Sequence, residues 1–188
     1  MITPCDGVYK PEDDSYMLLD ALLSLPLAGK RVLDMGTGTG IIGVNAALMG
    51  ADVTAVDINP LALECAWRNA EAEGVWIRTI QSDLFERVGG VYDIIAFNPP
   101  YLPGTEADPD YDPAWSGGKD GRAVLDRFLV QFSRHLAKDG VLLLVQSSLN
   151  DPEKTDAMLS DLGFCARRVS ERRYFYETLW VLEARRCP

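Results

Sequence analysis

Histidine is nearly missing from this chain, with one residue, His135, in 188. Cysteine is scarce as well. The four cysteines, Cys5, Cys65, Cys165 and Cys187, contain no CxxC pair, so the ligand set of a protein zinc site is not present. Scattered in this way they read as reduced thiols and not as a disulfide framework, with Cys65 in the core. Long apolar runs are missing too. The strongest, Val141-Leu142-Leu143-Leu144-Val145, is far too short to cross a bilayer. The opening "MITPCDGVYK" lacks the basic-then-apolar pattern of a signal peptide. These absences predict a cytoplasmic location and no bound metal. Positive charge is in deficit, at 18 Lys and Arg against 28 Asp and Glu, a formal net charge of −10. That balance disfavours tight nucleic-acid binding, which draws on basic surface to release counterions, and suits a basic protein partner. The arginines at 167, 168, 172, 173, 185 and 186 form an exception and read as a solvated C-terminal face.

What is present is an ordinary globular composition, 47% apolar over a length that suits one domain with a substantial core. Short apolar runs alternate with helical patterns, the signature of a parallel sheet covered by helices on both faces. Strands are predicted at 31–35, 52–57, 75–81, 92–97, 140–146, 164–170 and 177–183. Helices are predicted at 11–24, 41–49, 61–73, 121–137 and 152–161. Asn59 before Pro60 and Asp151 before Pro152 are N-cap signals. Gly50, Gly74, Gly140 and Gly163 stand where helices should end. Leu125, Phe128, Leu129, Phe132 and Leu136 recur at helical spacing, with His135 at the edge of that stripe. Residues 101–119 carry no period but many prolines and glycines, and loops of this length inside a domain are often functional.

The chemistry concentrates at strand ends. "DMGTGTG" places Asp34, Gly36, Gly38 and Gly40 in a turn between strand and helix. There backbone N–H groups and the positive end of a helix dipole can meet a ligand. The spacing Gly38-x-Gly40-x-x-Gly43 also satisfies a dinucleotide pattern that is weak by itself. "VDINP" ends the second strand with Asp57 and Ile58, an acid positioned to accept from ribose hydroxyls. NAD and S-adenosylmethionine both remain allowed at this point. Three features separate them. Asp34 can pair with an amino-acid ammonium, which NAD lacks. In "SDL", Asp83 can accept from an adenine amine and Leu84 can pack on its ring. The fourth strand ends in "NPPY", Asn98 to Tyr101, where a polar amide is locked by two prolines.

"NPPY" after "YDIIAF", together with "DMGTGTG" and "VDINP", resembles the class I methyltransferases of planar nitrogens. The match is closer to the HemK-like release-factor glutamine methyltransferases, in their short eukaryotic and archaeal branch. "VYKPEDDSYMLLDAL" at residues 8–22, "AWSGGKDGRAVLDRF" at 114–128 and "ETLWVLEARR" at 177–186 support that branch. The resemblance implies a Rossmann-like single domain with seven strands, mostly parallel, the last antiparallel. It implies an N-terminal helical segment (1–30) capping the cofactor site and a substrate loop at 101–120. It implies S-adenosylmethionine as cofactor, leaving as S-adenosylhomocysteine, with transfer to the amide nitrogen of a glutamine in the Gly-Gly-Gln motif of a translation release factor. Ser15, with Tyr9 and Asp13 beside it, would reach the methionine end. Ser15, Asp34, Gly36, Gly38, Gly40, Asp57, Ile58, Asp83, Leu84 and Asn98 would bind the cofactor. Asn98, Pro99 and Tyr101 would carry catalysis. Pro100, Trp115, Gly117 and Gly118 would join them in binding substrate.

"NPPY" is shared with enzymes acting on adenine N6 or guanine N2, so a nucleic-acid amino-group methyltransferase is the alternative. An NAD-dependent oxidoreductase would have no use for Asp34 or "NPPY". The third strand, read as 75–81, should lie at a sheet edge with Val75 and Ile77 on one face and Trp76 and Ile80 on the other. An apolar open edge invites another chain. The family resemblance implies a small zinc-binding activator subunit along 75–80.

Overall fold

The computed structural model describes residues 2–102, 104 and 117–188. Trp115 and most of the 101–119 segment lie outside the described residues. Seven strands form one sheet: β1 (Arg31–Met35), β2 (Asp52–Asp57), β3 (Arg78–Gln81), β4 (Tyr92–Phe97), β5 (Leu136–Ser147), β6 (Phe164–Arg173) and β7 (Thr178–Arg186). Their order is β3-β2-β1-β4-β5-β7-β6. The first five pair in parallel, and β7 runs antiparallel to both β5 and β6. This is the predicted class I methyltransferase architecture.

Alternation in the central strands sends side chains to two cores. On one face Ile94 and Ala96 of β4 meet α1 (Asp13–Leu23), α2 (Ile41–Leu48) and α3 (Pro60–Ala72). On the other, Ile95 and Phe97 meet α4 (Ala123–Leu129) and α5 (Pro152–Asp161). Both predicted caps form. Asn59 Oδ1 accepts from the Leu61 N–H at 3.0 Å, and Asp151 Oδ1 from the Lys154 N–H at 3.0 Å.

The stripe from Leu125 to Leu136 is buried throughout, yet it is not one helix. It passes through α4, a 3-10 turn at Phe132–Arg134, and the first residue of β5. Gly140, expected to end a helix, lies inside β5, where the β4–β5 register shifts. His135 is half-buried, stacked on Phe85 with centroids 4.5 Å apart.

The cysteines depart from expectation. Cys5 is bonded to Cys65 and Cys165 to Cys187, and no cysteine is free. The fold brings together thiols far apart in sequence, so their scatter did not indicate independence. The C-terminal arginines are largely paired: Arg167 and Arg185 with Glu183, Arg172 with Asp13, and Arg173 with Glu171. Among the described residues no helix is long and apolar enough to cross a membrane.

Candidate active site

Strand order reverses at β1, where β2 lies on one side and β4 on the other, and ligands in open α/β sheets bind at the carboxyl end of such a switch point. The glycine turn and the "NPPY" turn leave from there side by side, since Met35 pairs with Phe97. Gly36 makes that approach possible. With φ of +64° it is in the left-handed region, and a Cβ would stand 3.3 Å from the Phe97 ring.

A cavity of about 630 Å³ opens at this point, within the usual range for small-molecule sites. Ser15, Asp34, Gly36, Gly38, Asp57, Ile58, Asp83, Leu84, Asn98 and Pro100 line it. With Tyr9, which also lines it, eleven sequence-predicted residues converge on one space, while Asp13 does not line it. Gly40 does not line it. Its φ of +82° and the 2.9 Å from a would-be Cβ to Ala66 show that it serves the packing of α2 on α3. Pro99, Tyr101, Gly117 and Gly118 are also not among the lining residues.

Asp34 is buried, and its Oδ2 accepts from Thr37 Oγ1 at 2.6 Å and the Gly43 N–H at 2.9 Å. Desolvation dominates over those bonds and, with Asp57 adding repulsion, pushes its carboxyl from 3.8 to about 7. Asp57 accepts from the Gly38 N–H at 3.0 Å and the Asn59 N–H at 2.9 Å. Burial raises it too, against the pull of those N–H groups. Asp83 pairs with Arg127 at 2.7 Å across an exposed surface. Leu84 is buried at φ of +47°, an uncommon angle for leucine that accompanies functional turns.

The side-chain oxygens of Asn98 and Thr39 are buried without a hydrogen-bond partner. Leaving such a group unpaired costs about 1–3 kcal/mol, and both residues line the cavity. The site therefore fits a ligand that brings hydrogen-bond donors.

Two features escaped the sequence reading. Asp14 is buried and accepts from Tyr9 Oη at 2.8 Å, Tyr101 Oη at 3.2 Å and Ser15 Oγ at 3.2 Å. It ties the N-terminal segment to the "NPPY" turn, while its neighbour Asp13 turns outward to Arg172 and Tyr174. Burial first, then the adjacent carboxylate, raises both Tyr9 and Tyr101 far above the ordinary phenol value, so both stay protonated. The second is the role of "GGKDGR". The Gly117 N–H donates to the Leu102 carbonyl at 2.9 Å, and a Cβ on Gly121 would strike the Tyr101 carbonyl. Arg122 is buried and donates to the Asp151 carbonyl and Thr155 Oγ1 while pairing with Asp126 at 2.7 Å. The motif braces "NPPY" from behind.

A profile of the "Methyltransferase small domain" family matches residues 8–176. The chain is 42% identical to the provisionally named protein N5-glutamine methyltransferase MJ0928 of Methanocaldococcus jannaschii, over 94% of this chain and 91% of that one. It is 33% identical to the methyltransferase HEMK2 of Homo sapiens, over 94% of this chain and 88% of that one. Among solved structures it resembles the E. cuniculi Mtq2–Trm112 complex, described as responsible for methylation of the termination factor eRF1. That match has a TM-score of 0.78 and 31% identity, covering 96% of this chain and 99% of that one. With the cavity, the glycine turn and "NPPY" in their expected places, the chain belongs to the methyltransferase small domain family, among the protein N5-glutamine methyltransferases.

Proposed function

We propose that this methyltransferase modifies the side-chain amide of a glutamine in the Gly-Gly-Gln motif of a translation release factor, with S-adenosylmethionine as donor. The observation that carries this reading is the Asn98 side-chain oxygen, buried, unpartnered and at the wall of the switch-point cavity. The Methanocaldococcus jannaschii relative is named for glutamine N5, and the Mtq2 neighbour is described with eRF1.

When bound, S-adenosylmethionine supplies an electrophilic methyl on a sulfonium centre. Asp34 is the counter-ion for its amino group, Asp57 the acceptor for its ribose hydroxyls, and Ile58 and Leu84 the apolar walls for its adenine. Asn98 Oδ1 and the Pro99 carbonyl accept from the two N–H groups of the substrate amide. An amide nitrogen is a weak nucleophile because its lone pair is delocalised. Two fixed acceptors favour its pyramidal form and aim the lone pair, an effect of orientation and preorganised charge. Pro99 and Pro100 keep those acceptors rigid. No base is required before transfer, because the methylated nitrogen is far more acidic. The protonated Tyr9 and Tyr101 hold the turn through Asp14 and do not abstract a proton.

The open edge supports a partner. β3 is the terminal strand and begins at Arg78, three residues later than predicted. Trp76 just before it is 69% exposed, and among the described residues no helix covers it. A small activator subunit of the zinc-binding kind pairs along this edge.

The test is labelled-methyl transfer to a class 1 release factor, to its Gln-to-Ala variant, and to bulk tRNA and rRNA. Label should enter the intact factor alone. Asn98→Ala should bind S-adenosylhomocysteine as before while turnover falls by about 100-fold or more. Unchanged turnover removes Asn98 from the mechanism, and label in RNA replaces the protein substrate with a nucleic acid.

A further inference from the structure

The turn joining β6 to β7 exposes two large rings to solvent. Phe175 is 89% and Tyr176 84% exposed, and their rings meet edge to face at 4.6 Å. Neither takes part in a core. The turn that carries them is firmly built. The Tyr174 N–H donates to the Glu177 carbonyl at 2.7 Å, and Glu177 accepts from Ser147 Oγ at 2.8 Å. Tyr174 Oη donates to Asp13 at 2.6 Å, and Arg172 pairs with the same carboxylate. A rigid turn presenting two aromatic rings is a typical binding anchor, since rings bring apolar area at small entropic cost.

Its position says what it binds. β7 is antiparallel to β5, with Leu179 opposite Ser147, so the turn stands at the carboxyl end of the parallel strands. Asn98 leaves β4 at that same end, where Phe97 pairs with Leu144. Asp13, which holds the turn, is followed by Asp14, which holds Tyr101. Tyr101 also lies in the field of Glu177 and Tyr174. The aromatic tip is thus joined through two hydrogen-bonded residues to the "NPPY" turn.

We propose that the Phe175–Tyr176 tip is the docking point for the polypeptide substrate outside the residue that accepts the methyl group. This rests on the reading of a protein glutamine as acceptor. A polypeptide whose side-chain amide reaches Asn98 enters from the carboxyl end of the parallel strands, the end at which this tip stands. Arg172 and Arg173 balance Glu171 and Glu177 in charge around the tip, so the docked surface is recognised by an aliphatic side chain offered to the ring pair.

The experiment uses the full chain and the double variant Phe175→Ser/Tyr176→Ser. Neither ring is buried, so thermal melting should be unaltered. The variant is assayed on an intact class 1 release factor and on a short peptide containing Gly-Gly-Gln. Affinity for the factor is measured separately from turnover. KM and Kd for the intact factor should rise about tenfold or more, as for loss of an anchor. kcat, S-adenosylhomocysteine affinity and peptide turnover should stay as they were. A factor bound and methylated equally well by both proteins overturns this inference alone. A factor neither bound nor methylated by the unmodified enzyme overturns the substrate reading and this inference with it. Dimers of the unmodified chain that dissociate in the variant, with factor affinity unchanged, would assign the tip to self-association and overturn the proposal.

Discussion

At the scale of single residues, Asp34 offers a titration that reports on the site. Its folded-state value of about 7 lies above the ordinary 3.8, because burial disfavours the charge. A raised carboxyl favours the fold fully below about pH 4, and that contribution is lost as pH rises through 7. A cofactor ammonium favours the opposite, charged form. Binding should therefore release a proton near pH 6, and S-adenosylhomocysteine affinity should fall by up to about tenfold per pH unit below 7. Calorimetry in buffers of different ionisation enthalpy counts the proton. Asn at position 34 can still accept from Thr37 and Gly43 but cannot titrate, so Asp34→Asn should bind more weakly with a flat profile. A slope that survives in this variant would place the titrating group elsewhere. The polarity of Asp34 and its place before the glycines were legible in sequence. The pair of hydrogen bonds it accepts from Thr37 Oγ1 and the Gly43 N–H was not, because Gly43 belongs to the first turn of α2 and not to the loop. Asp14 was less legible still, since Tyr9 is near it in sequence but Tyr101 comes from a distant segment that only the fold brings to it.

At the scale of elements, short apolar runs located β1, β2 and β4 correctly, and the caps located α3 and α5. The error at 121–137 has a physical origin. Burial set by a sheet-covering helix, a 3-10 turn and a strand start can imitate one continuous apolar stripe when each contributes a residue every three or four positions. β3 is shorter than the apolar pattern of 75–81 because Val75 and Ile77 are packed inward from a connecting segment. Gly117 and Gly118 of "GGKDGR" are expected at the substrate, and the structure adds that the stretch contacts the backbone next to "NPPY". Two glycines make this measurable. Gly74 and Gly121 share a φ of +70°, but a Cβ on Gly74 would meet nothing, whereas one on Gly121 would strike the Tyr101 carbonyl. Gly74→Ala should therefore cost only about 1 kcal/mol of backbone strain and leave turnover intact. Gly121→Ala should displace "NPPY" and lower kcat by at least about tenfold, with S-adenosylhomocysteine affinity little changed. Equal effects of the two substitutions would deny the brace.

At the scale of the whole molecule, the two disulfides close what the sheet leaves open. Cys5–Cys65 spans 60 residues and fastens the N-terminal segment to α3, while Cys165–Cys187 spans 22 and fastens the chain end to β6. No spacing rule could have paired them, because only the sheet and its helices bring the segments together. The first has a functional side. Gly7, Val8 and Tyr9 form one wall of the cavity, and Val8 packs on Ala62 and Cys65. That wall has other fastenings, since Asn69 exchanges bonds with Thr3 at 2.9 and 3.0 Å and Asn59 donates to the Gly7 carbonyl. Reduction should therefore loosen the wall without opening the fold. Chain entropy assigns about 4 kcal/mol to the longer loop and about 3 kcal/mol to the shorter. In a protein of this size, loss of the longer should lower Tm on the order of 10 °C. Cys5→Ser/Cys65→Ser should reproduce that drop and also speed S-adenosylhomocysteine release, because the cavity wall is affected. Cys165→Ser/Cys187→Ser should lower Tm by less and leave release unchanged, since no residue near that bond lines the cavity. Identical melting of the unmodified protein with and without a thiol reductant would show that neither bond contributes to stability, and an unchanged release rate in the first variant would separate the N-terminal wall from cofactor retention.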